Sequence, residues 1–285
     1  MTPAGFLVMC ALLAASAANA AGEEGFWRDG VPYSGPVQLP DDPEGQYWLQ
    51  LPYGFSADHP WPLILFFPGR MYGKTPEQTN FLKPEFGVFR ERCRERGYVV
   101  CSVGRLSNMW MNRRARKLTD ACLAHVKTKV PIDERRIYAA GLSMGGGAAL
   151  TYARFRPRNI RAVCNFMGCT DFSRFYREGH YNESLRDAFG GTPDEVPDVY
   201  AAQSAVSEPE AYRYIPIITI HGDRDTCIPV WNATALWERI EGFHNGSRCV
   251  ILKGVEHTNK VVQGLEDNIL DVFQQAGKQH TEGGW

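Results

Sequence analysis

An excess of charge of one sign, membrane-length apolar runs and metal-ligand spacing are all missing from this chain. Its 285 residues carry 31 Lys+Arg against 32 Asp+Glu, a formal net charge of −1. Holding phosphates takes a basic surplus, so the sequence gives no basis for a nucleic-acid partner. No apolar stretch reaches the roughly 20 residues of a membrane-spanning helix. There is no Gly-rich dinucleotide or phosphate loop and no Cys/His metal spacing, so neither a cofactor nor a metal is expected. Beyond residue 20, Cys93, Cys101, Cys122, Cys164, Cys169, Cys227 and Cys249 remain. Their number is odd and their spacing forms no disulfide framework. Cys101, Cys164 and Cys249 lie in apolar strand-like runs and read as core residues.

What is present divides the chain. Residues 1–20 hold no charged side chain, and residues 6–15 have the length of a signal-peptide core. Ala18, Asn19 and Ala20 form an A-x-A cleavage site, so export is expected, to the medium or the periplasm, with the mature chain starting at Ala21. Residues 21–45 are rich in Gly, Pro and Asp and read as a lead-in. Residues 46–277 alternate strand and helix patterns, which predicts an α/β domain with a mostly parallel sheet and helices on both faces. Gly277 reads as the stop of a last helix, and 278–285 as a flexible tail. The basic run from Arg113 to Lys117 opens an amphipathic helix with Ala115, Leu118, Cys122 and Val126 inward. Sequons begin at Asn182, Asn232 and Asn245.

The most informative segment is Gly141, Leu142, Ser143, Met144 and Gly145, a G-x-S-x-G directly after an apolar strand-like run. A strand that turns at once into a helix brings backbones too close for side chains, hence the glycines, and leaves the serine oxygen exposed above the sheet. A serine needs a base and an orienting carboxylate, and for such a turn the chain order is serine, acid, histidine. The apolar run ending at Ile220 leads into Asp223 and Asp225, both candidates for the acid. The run from Arg248 to Leu252 leads to His257, the candidate base. His221 precedes the acid and reads as a loop-packing residue. One oxyanion donor is expected at the N–H of Met144. The second is expected after the run from Pro62 to Phe67, at Arg70, with Met71 as the fallback.

These stretches resemble the α/β-hydrolase superfamily. Within it they are similar to secreted esterases related to polyhydroxybutyrate depolymerases, to feruloyl esterases, and to the catalytic domain of prolyl oligopeptidases. The resemblance rests on residues 47–55, 61–69, 132–146 and 221–229. It implies the α/β-hydrolase fold, favours Asp225 over Asp223 as the acid, and implies cleavage of small or polysaccharide-linked esters. It departs where Pro68 and Arg70 stand in place of the family's usual His and a smaller residue. A serine peptidase and a non-catalytic binding module are the rival readings; no propeller-like domain accompanies the pattern, which favours the ester. Residues 171–214 form an aromatic-rich insertion. Its rings either pack onto the sheet, as aromatics ordinarily do, or cap a substrate pocket, in which Met71, Trp110 and Phe172 are the candidate lining residues.

Overall fold

Alternation inside continuous apolar runs decides the architecture. In Trp61–Phe67 (β3), Leu63, Leu65 and Phe67 join one buried cluster while Ile64 and Phe66 join another. Side chains on a strand alternate faces, so a strand apolar on both must lie between two layers. Each such large side chain, fully buried, stabilises by about 1.5–3 kcal/mol. The computed structural model describes residues 27–282 apart from 29, 30, 33, 71, 73, 105 and 107.

Trp27–Arg28 pairs antiparallel with Val31–Pro32 as a separate two-stranded ribbon, and the strands of the main sheet are β1 (Gly35–Gln38), β2 (Gln46–Gln50), β3, β4 (Val99–Val103), β5 (Ile132–Leu142), β6 (Val163–Phe166), β7 (Ile217–Gly222) and β8 (Arg248–Leu252). They form one sheet in the order β8-β7-β6-β5-β3-β4-β2-β1. Pairings from β8 to β4 are parallel, and β2 and β1 add antiparallel edges. Packed on the sheet are α1 (Gly87–Glu95), α2 (Arg113–Lys129), α3 (Met144–Phe155), α4 (Phe172–Arg177), α5 (Asn182–Phe189), α6 (Pro197–Gln203), α7 (Trp231–Ile240) and α8 (Glu266–Glu282). No helix among the described residues is long and apolar enough to cross a membrane.

Helix α2 starts where Asn112 accepts a hydrogen bond from the N–H of Ala115 at 3.0 Å, and Ala115, Leu118, Cys122 and Val126 face inward. Three expectations are corrected. Gly35–Gln38, read as lead-in, pairs with β2 as an edge strand. Helix α8 runs through Gly277 to Glu282, into the segment read as tail. Gly277 is there for close packing, since a Cβ on it would meet the Tyr138 hydroxyl at 2.4 Å. Cys249 is half-buried, because β8 is a sheet edge, whereas Cys101 and Cys164 are buried. All cysteines among the described residues are free thiols. The leader expected at 1–20 lies outside the described residues. The sequon at Asn232 is buried, its side-chain oxygen accepting from the N–H of Thr170.

Candidate active site

The site gathers at the C-terminal ends of the central parallel strands. Ser143 follows β5 and precedes α3, with φ 59° and ψ −123°. That region is strained for a residue with a side chain, and it is held here by packing that over-determines it. A Cβ on Gly145 would sit 1.9 Å from the Phe67 carbonyl oxygen, and one on Gly141 2.2 Å from the Gly145 oxygen. The two flanking positions therefore admit only glycine, and β3, β5 and α3 meet backbone to backbone around the serine.

Three of the sequence-predicted side chains come together. The Ser143 hydroxyl lies 2.9 Å from Nε2 of His257, and Nδ1 of His257 lies 2.7 Å from Oδ2 of Asp225. Such a relay can draw the serine proton onto the imidazole while the carboxylate fixes the tautomer and steadies the resulting positive charge. Asp223 faces elsewhere: it accepts the N–H of Gly254 at 2.6 Å, tying the loop after β7 to the turn after β8.

The Asp225 side chain is fully buried and its carboxylate heavily bonded. Its Oδ1 accepts the backbone N–H of Cys227 at 2.9 Å and of Ile228 at 2.8 Å. Burial alone raises a carboxyl, but the hydrogen bonds from His221 and His257, the nearby His257 charge and the Ile228 N–H prevail and hold it at about 2. A folded-state value below the ordinary one adds stability that is full above the unfolded value near 3.8 and is lost as pH falls through about 2. We expect the Asp225→Asn variant to lie about 2 kcal/mol closer to wild type in urea-unfolding free energy at pH 2 than at pH 6. An equal gap at both pH values would refute this linkage.

Of the proposed oxyanion donors, the N–H of Met144 sits at the first position of α3, where a helix has no internal acceptor for it. The loop carrying Arg70 lies alongside: a Cβ on Gly69 would fall 3.6 Å from Cβ of Ser143. The Gly69 N–H itself is taken by Oδ1 of Asn80 at 2.7 Å. Asn80 in turn donates to Asn259 at 3.1 Å, and Asn259 donates to the Tyr72 hydroxyl at 3.5 Å, so this loop is tied to the loop bearing His257. Met71 lies outside the described residues.

The pocket residues are placed differently from expectation. Trp110 and Phe172 are each 1% exposed and pack edge to face, with ring centroids 5.9 Å apart. They floor the insertion instead of lining an open cleft. Phe175, Phe189, Tyr200 and Tyr212 are buried with them in the cluster that covers one face of the sheet. The half-buried Tyr181 stays near the relay: the Arg70 guanidinium lies 5.1 Å from its ring centroid, and the Cys227 thiol is a neighbour of its hydroxyl. Burial and the neighbouring thiol both push the Tyr181 hydroxyl upward in pKa.

Ligand atoms of Cys227, Asp225 and His257 lie within 4.8 Å of one another. The sequence singled out none of Asn80, Cys227 or Asn259 as site residues, and gave Tyr181 only as one ring of the aromatic insertion. Of these, only Cys227 and Asn259, which stand two residues from Asp225 and His257, carried a positional signal.

The Prolyl oligopeptidase family (Peptidase_S9) matches residues 105–275, more than half of the chain. No curated protein matches. Among solved structures, a bifunctional GH43-CE protein of Bacteroides eggerthii is 19% identical with a TM-score of 0.66, covering 83% of this chain and 34% of its own. A truncated carbohydrate esterase from gut microbiota is 16% identical with a TM-score of 0.64, covering 90% of this chain and 100% of its own. An acylaminoacyl peptidase of Pyrococcus horikoshii is 15% identical with a TM-score of 0.62, covering 81% of this chain and 39% of its own. The chain thus spans about a third of the length of the first of these and two fifths of the third. At these identities the likeness is one of fold.

Proposed function

The chain belongs to the prolyl oligopeptidase family within the α/β-hydrolases, and from that premise we propose an exported serine hydrolase that cleaves carboxylic esters. The observation that carries the proposal is the continuous relay from Ser143 through His257 to Asp225, with spacings of 2.9 and 2.7 Å. In this reading Ser143 attacks the ester carbonyl while Nε2 of His257 takes its proton. Asp225 orients His257 and stabilises its charged form. The N–H groups of Met144 and Arg70 hold the oxyanion of the tetrahedral intermediate, each worth about 3 kcal/mol of barrier. His257 then protonates the leaving alcohol, and water repeats the cycle on the acyl-enzyme.

Support for an ester substrate comes from the carbohydrate esterase that is matched along its entire length. The family's name and the acylaminoacyl peptidase favour the second reading, hydrolysis of peptides. An alkoxide or phenolate can leave a tetrahedral intermediate as the anion, whereas an amide nitrogen must first be protonated, so p-nitrophenyl esters and p-nitroanilides of the same acyl group separate the two. We expect ester kcat/KM to exceed that of the anilide by at least about a hundredfold, roughly 2.7 kcal/mol of barrier. Parity or reversal would move the assignment to a peptidase. Absence of both turnover and fluorophosphonate labelling in the folded protein would remove the hydrolase reading. Export is part of the same proposal, and N-terminal sequencing of the released protein should begin at Ala21.

A further inference from the structure

We propose that His221 is a positioning residue for this reaction, the donor that locks the loop presenting Asp225. The inference rests on the roles given above to Ser143, His257 and Asp225. His221 is the penultimate residue of β7 and is 0% exposed. Its Nε2 lies 2.7 Å from the Ile228 carbonyl oxygen. A carbonyl can only accept, so the proton is fixed on Nε2. The same nitrogen lies 3.4 Å from Oδ2 of Asp225, on the oxygen that also meets His257.

Ile228 closes the ring. Its carbonyl accepts a hydrogen bond from the His221 Nε2–H while its N–H, together with that of Cys227, holds Oδ1 of Asp225. The segment from strand end to Ile228 is thereby clamped at both ends by one imidazole. His257 stands on a half-exposed loop and cannot anchor itself, so the direction of the Asp225 carboxylate sets where Nε2 of His257 points. A leucine would fill the buried site without placing a polar ring there, and Nδ1 of His221 has no protein partner among the described residues. The position uses the N–H and not the bulk.

The test compares His221→Leu, which removes the donor, with His221→Gln, whose amide nitrogen reaches as far as Nε2. Each is assayed in the full chain for ester kcat, KM, pH profile and melting temperature. His221→Leu should lower kcat by about ten- to a hundredfold through misplacement of the relay, with KM little changed. Its Asp225, with one donor fewer, holds imidazolium His257 more tightly, so the acid limb of kcat/KM moves upward by roughly half a unit or more. His221→Gln should restore most of the rate and the wild-type limb.

A leucine variant with wild-type kcat and pH profile would overturn the proposal, whether or not its melting temperature falls. Should leucine prevent folding, His221→Asn, whose amide falls short of Ile228, takes its place with the same two readouts. An inert wild type would instead sink the ester-hydrolase reading itself.

Discussion

Replacing Ser143 by alanine is expected to lower kcat for ester hydrolysis by about a millionfold and to erase fluorophosphonate labelling. The relay has one atom that can form the acyl bond, and alanine lacks it. What survives is whatever the oxyanion donors and binding supply without a nucleophile, about a thousandfold over water. His257→Ala should cost nearly as much, because an unassisted serine hydroxyl is a weak nucleophile. The double variant should be no worse than either single one, since the residues act as a unit. The fold should stay intact: Ser143 is held at φ 59° by glycine-tight packing that alanine leaves unchanged. Single-turnover kinetics beside a thermal melt would check this. Ester turnover above a hundredth of wild type in well-folded Ser143→Ala would show that another group attacks the carbonyl.

Asp225→Asn should lower kcat by about ten-thousandfold while the protein remains folded. The reason lies in which oxygen holds which partner. Oδ1 accepts two backbone N–H groups, from Cys227 and Ile228, so the asparagine carbonyl must occupy that position. Its NH2 is then forced to the place of Oδ2, facing Nδ1 of His257 and the Nε2–H of His221. His257 can meet an NH2 only by accepting at Nδ1, which moves its proton to Nε2. A protonated Nε2 cannot take the proton from Ser143, 2.9 Å away. The donor pair with His221 adds a local repulsion that lowers the melting temperature by a few degrees. The rate should partly recover at high pH, where attack by a serine alkoxide needs no base. A variant within tenfold of wild type at neutral pH would mean that His257 keeps its tautomer without Asp225.

The parts of this molecule that announce themselves in the sequence are those where one physical demand leaves one kind of residue. Buried parallel strands demand unbroken apolar runs, and Trp61–Phe67, buried from Pro62 onward, is a strand over the span its run suggests. The elbow demands glycine on both sides of Ser143, and its helix runs Met144–Phe155 before Pro157. Signals with two meanings were less legible. Gly277 could end a helix or admit a neighbour, and the Tyr138 hydroxyl above it shows the second.

Gly35–Gln38 is a short edge strand in a Gly- and Pro-rich stretch, where antiparallel pairing needs no apolar run on both faces. Trp110 and Phe172 bear the same aromatic signature whether they line a pocket or build a floor. His221 ends an apolar strand, and nothing in one dimension shows that its ring turns toward a carboxylate four residues on. Asn80 acts at Gly69 and Asn259 across gaps in sequence that only the fold closes.

The relay is assembled from loops after β5, β7 and β8, and its base lies 114 residues beyond the serine. A ribosome that has just released the elbow has made a serine with no acid and no base. The loop after β7 supplies the carboxylate later, and the base arrives with the turn beyond β8, the last strand in the chain. Until that strand has emerged the relay lacks its base, and the serine of the unfinished polypeptide stays a weak nucleophile.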